Sequence, residues 1–95
     1  MSTAPEPVGT LEVALRHAGT LLESQPELAA EQAREILRVV PQHPLATLLV
    51  GIAQRKLGDL NGSLQTLQEL ARAQPGWAPA HYEFGVTLGL AGRGE

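Results

Sequence analysis

Apolar residues recur at spacings of three and four along almost the whole chain, and prolines, glycines and short polar runs interrupt them at regular points. Leu11, Ala14, Leu15, Ala18, Leu21 and Leu22 form the first such series, the stripe of a helix predicted to begin near Thr10, which can cap it. Ser24-Gln25-Pro26-Glu27 combines a capping-box spacing with an early proline, so a second helix is expected from Pro26 to Val39. Its stripe is Ala29, Ala33, Ile36, Leu37 and Val40, with the Glu31–Arg34 and Glu35–Arg38 pairs opposite, and Pro41 ends it. Pro44 opens a third helix bearing Leu45, Leu48, Leu49, Ile52 and Ala53, which Gly58-Asp59 closes while capping its successor. Leu60, Leu64, Leu67, Leu70 and Ala71 mark a fourth helix, terminated by Gln74-Pro75-Gly76, and a fifth is predicted from about Ala78 to Ala91. Residues 1–9 carry prolines and a glycine without any period and are expected to be a flexible lead-in to a domain over 10–95.

The breaks themselves recur. Pro41 and Pro75, Gly51 and Gly85, and Gly58 and Gly92 are each separated by 34 residues. Turn prolines and helix-packing glycines are placed by backbone geometry, so a shared interval implies one supersecondary unit used more than once. The units fall at about 10–43, 44–77 and 78–95, the last partial because the sequence leaves the pattern after Gly92. In the fifth helix Tyr82, Phe84, Val86, Leu88, Leu90 and Ala91 point in several directions, so cover on more than one side is expected, from a longer array or an oligomer.

Composition sharpens this picture in only a few places. Ninety-five residues with 43% hydrophobic content and a single Trp, Tyr and Phe suit helices packed through small and branched side chains in one thin-cored domain. A net charge of −3 gives no attraction to phosphate backbones or anionic lipid, so neither nucleic acid nor a membrane is expected as a partner. The longest mostly apolar stretch, Pro44 to Ala53, is far below the roughly 18 residues a bilayer span requires, and a cytoplasmic protein is expected. The absence of cysteine removes disulfides, thiolate nucleophiles and zinc–thiolate sites. His17, His43 and His81 lack the i, i+4 pairing of a helical metal site, and no metal or cofactor is expected. His81 and Glu83 are the only local acid and base pair, but side chains two apart on a helix diverge by about 200°. No catalytic residue emerges.

The spacing resembles the tetratricopeptide repeat, Trp-x₂-Leu-Gly-x₂-Tyr, then Ala-x₃-Phe, then Pro. In the middle unit Val50-Gly51 stands at the Leu-Gly pair, Ser63 at the small residue, Leu67 at the large one and Pro75 at the closing proline, while Thr47 and Gln54 depart at the aromatic positions. The third unit begins His81, Phe84, Gly85 and Leu88, and the first has Arg16-His17 in place of Leu-Gly, with Ala29, Ala33 and Pro41 in register. The resemblance implies an all-α right-handed solenoid of stacked antiparallel hairpins, about five helices in all. Gly51, Gly58, Ser63, Leu67, Pro75, Gly85 and Gly92 would be its packing positions. It also implies a concave, largely apolar groove of Leu11, Ala14, Ala18, Leu45, Leu48, Ile52, Arg55, Tyr82 and Val86, suited to a protein or peptide or an adjoining domain of a parent chain. Arg55 and Lys56 are expected to complement a helix C-terminus, and Trp77 to pack across a repeat junction. The stretches 33–44 and 74–85 are also similar to repeats that precede the catalytic domain of bacterial repeat-containing sulfotransferases, whose phosphate-binding loop is not in these residues. A scaffold, the repeat portion of such an enzyme, and a small self-associating protein paired through its C-terminal helix all remain open.

Overall fold

The computed structural model describes residues 7–92, with side chains described from Thr10 onward. Five helices account for nearly all of it: α1 (Pro7–Ser24), α2 (Pro26–Val39), α3 (Pro44–Lys56), α4 (Leu60–Ala73) and α5 (Ala78–Leu90). No strand occurs among the described residues. Part of the expected lead-in, residues 1–6, lies outside the described residues. The remainder differs from expectation: α1 begins at Pro7, so Thr10 sits inside the helix and does not cap it. A proline suits a first helical turn because its missing N–H is one of those without a partner there. The capping box at Ser24 is likewise not formed, since α1 runs through Ser24 and the N-cap of α2 is Gln25, without a side-chain hydrogen bond.

Elsewhere the local chemistry sets the boundaries. Pro26 and Pro44 occupy the opening turns of α2 and α3, where φ is already helical. His43 caps α3, its Nδ1 accepting from the Ala46 N–H at 3.3 Å, and the Asp59 carboxylate caps α4 by accepting from Gly62 N–H at 2.9 Å. Between α3 and α4 the backbone turns through Gly58 at φ +90, a conformation that costs a side-chain-bearing residue about 1–2 kcal/mol. Gln42, between α2 and α3, adopts φ +66 without that exemption.

Each helix packs against its neighbours in sequence, and α3 additionally touches α1 and α5, whereas α1 and α5 do not meet. The described helices therefore lie in file, with α3 at the centre. Principal extents of 57 × 29 × 18 Å and a radius of gyration of 14.0 Å, against about 12 Å for a compact chain of this length, fit an elongated body. Its core is three linked clusters. Ala29, Ala30 and Ala53 pack with Leu21 and Leu22, and Ala18, Ala33, Leu49 and Val50 pack with Leu15, Leu22 and Leu37. The third joins Leu48, Ile52, Leu67, Leu70, Ala71 and Ala80, with Leu22, Trp77 and Phe84 against it. The predicted stripes supply most of these residues, while Ala30, Val50, Trp77 and Ala80 lie outside them. Alanine at the closest approaches lets helix axes draw together, so a small chain reaches useful density.

Candidate interaction surface

Gly51 marks a close contact between α3 and α4. A Cβ built there would stand 2.5 Å from Leu67 Cδ2 and 2.6 Å from its Cγ, so the absent side chain is what admits Leu67, itself fully buried. Beside it Ser63, also fully buried, donates its hydroxyl to the Gly51 carbonyl at 2.8 Å, tying α4 to α3. A buried hydroxyl with a satisfied carbonyl acceptor avoids the cost of an unpaired polar group.

From this contact a polar chain runs on to α5. Ser63 Oγ lies 3.2 Å from Thr87 Oγ1, which donates to the Glu83 carbonyl at 3.0 Å and accepts from Arg55 Nη1 at 3.1 Å. Arg55 Nη1 also donates to the Glu83 carbonyl at 3.3 Å, and Nη2 meets Glu83 Oε1 at 2.8 Å. Only 13% of the Arg55 side chain and 19% of that of Glu83 are exposed. Arg55 lies in the last turn of α3, as expected, and in addition spans to α5 as a charged clamp. Glu83 is the one charged residue of α5, and its burial in the structure is what requires the cation that Arg55 supplies. The expected divergence of His81 and Glu83 holds, because His81 Nε2 makes a 2.8 Å hydrogen bond with the Pro75 carbonyl on the exposed side. Lys56 reaches Glu23 of α1 at 3.6 Å.

The nine expected groove residues are not one continuous surface. Ala18, Leu48 and Ile52 are buried between helices, and Arg55 is engaged by Glu83 and Thr87. Leu11, Ala14 and Val86 are half-buried, while Leu45 and Tyr82 are exposed. Of the expected packing positions, Gly51, Ser63 and Leu67 meet one another, and Gly58 and Gly92 adopt positive φ at matching turns. Pro75 is exposed in the α4–α5 turn. Gly85 has no atom of another helix within 4 Å of where its Cβ would be.

Trp77 packs against the third cluster, as expected, and one side of it also borders a shallow cleft of 460 Å³ shared with His43, Pro44, Leu45, Pro75 and Gly76. Leu45, which lines the cleft, is exposed, as are Tyr82 and Leu90 on α5. The charged face of α2, with Arg38 paired to Glu35 at 3.1 Å, lies elsewhere and is solvated. Among the described residues no helix is long and apolar enough to cross a membrane. No protein-family model, curated protein or solved structure matches the chain.

Proposed function

We propose that the chain is an interaction module of tetratricopeptide type, holding a protein partner on stacked helix hairpins and performing no chemistry of its own. The observation that carries the reading is the inter-helix contact at Gly51, Ser63 and Leu67, three positions that the repeat pattern assigns to packing. The turn glycines 58 and 92 support it by sharing a left-handed backbone at the 34-residue interval. The ionisable groups of α5 support a binding role over a catalytic one, because Glu83 is committed to Arg55 and His81 to a backbone carbonyl. The surface offered to a partner is the exposed apolar side chains of α3 and α5: Leu45, Tyr82 and Leu90.

Selection of a displayed peptide library on the full chain tests this. Enriched peptides are expected to lose about tenfold in affinity, 1.4 kcal/mol, when Tyr82 is replaced by Glu, and to be indifferent to Leu28→Glu on α2. A library that yields no peptide with that dependence would refute the reading.

A further inference from the structure

We propose that the outward face of α5 docks an amphipathic helix of a partner polypeptide, antiparallel to α5, with a leucine seated over Gly85 as Leu67 of α4 is seated over Gly51. The proposal rests on the interaction-module reading and names the occupant and its register.

The template is within the same molecule. α5 stands 34 residues beyond α3, and its inner side is seated in the same way: Ala46 and its counterpart Ala80 are both fully buried. The two helices differ in what covers the opposite side. On α3 that side carries Leu48, Gly51 and Ile52, all buried: Leu67 of α4, which runs back along α3 after the three-residue turn Leu57–Asp59, lies over Gly51, and Leu48 and Ile52 join the cluster that α4 shares with Ala80, Trp77 and Phe84. On α5 the counterparts are Tyr82, Gly85 and Val86. Tyr82 is 68% exposed where Leu48 is 6% exposed, and the space over Gly85 is open where that over Gly51 holds Leu67. The face bears no charge, since the only charged residue of α5 is turned toward Arg55. Such a face accepts an apolar stripe without stranding an ion, and of its two open glycines, Gly85 and Gly89, Gly85 sets the register because it stands in the place of Gly51, where the missing side chain admits a leucine near the helix axis. The occupant is therefore a helix patterned like α4: leucine at the position of Leu67, a small residue four positions before it as at Ser63, and polar residues on its far side.

The experiment titrates the full chain into a fluorescently labelled peptide carrying the α4 sequence, Asp59 to Gln74, and follows anisotropy. Saturable binding is expected, weakened at least about tenfold by Gly85→Leu in the protein or by Leu67→Glu in the peptide. Gly19→Leu, which also enters open space but on α1, is expected to leave binding unchanged. Gly85→Leu retains the fold because nothing lies within 4 Å of the added Cβ, and circular dichroism checks this; Tyr82→Glu, at an exposed site, is the second variant. Absence of binding up to about 1 mM, or binding indifferent to Gly85→Leu, overturns the proposal. Binding reduced by Tyr82→Glu but not by Gly85→Leu leaves the interaction module standing and removes this register. A self-dimer of the chain that Gly85→Leu dissociates assigns the face to a second copy and equally overturns it.

Discussion

Replacing Gly51 and Gly85 separately by alanine separates packing from helix propensity. Both glycines lie inside helices and are related by the 34-residue interval, so each change gains about 1 kcal/mol of intrinsic helix propensity. They differ in surroundings. At Gly51 the new methyl stands 2.5 Å from Leu67 Cδ2 and 2.6 Å from its Cγ, and Leu67 is fully enclosed, so it cannot swing aside. Overpacking of this kind costs about 1–3 kcal/mol. At Gly85 the methyl meets nothing. Propensity cancels in the comparison, leaving Gly51→Ala less stable than Gly85→Ala by about 1–3 kcal/mol, with Gly85→Ala more stable than the unaltered chain. Thermal unfolding reads this as about 4–8 °C per kcal/mol in a domain of this size. Equal melting temperatures for the two variants would refute the argument that Leu67 is admitted by the missing side chain.

Three further outcomes are expected. Arg55→Met leaves the Glu83 carboxylate and Thr87 hydroxyl without their donor and should cost about 1.5–3 kcal/mol in denaturant unfolding, most of it recovered when Glu83→Leu is added; a double variant no better than the single would contradict the clamp. Asp59→Ala removes the acceptor for the Gly62 N–H and should destabilise by about 1 kcal/mol, whereas Asp59→Ser should be close to neutral, both read as shifts in the urea midpoint. Gln42→Gly relieves a φ of +66 and should stabilise by about 0.5–1 kcal/mol after the added chain entropy of glycine; a lowered melting temperature would contradict that assignment of strain.

Helix boundaries were legible wherever a proline or capping side chain fixes the backbone locally, and α2 matches its expected limits for that reason. At Pro7 and Ser24 the same residue types fit two readings, helix start or break in one case and cap or last turn in the other, and only the continuation of α1 decides. The stripe positions predicted the core because periodicity reports burial directly. The surface was less legible. Leu48 and Tyr82 hold equivalent positions, yet the first is covered and the second is not, because exposure depends on which helices lie alongside. The Arg55–Glu83 clamp joins residues 28 apart, a distance no local pattern encodes. Gly51 and Gly85 teach the same lesson: identical residues in identical register, one filling a contact and one leaving a space.

The central claim is that the helices stand in file, with α3 held on both sides and α5 held on one. Residue-resolved amide hydrogen exchange of the unliganded chain under native conditions tests it most directly. The amides of α3 are expected to be the best protected, and those of α5 to exchange at least about tenfold faster through openings short of global unfolding. Uniform protection across all five helices, as in a closed bundle, or greatest protection in α5, would contradict the account.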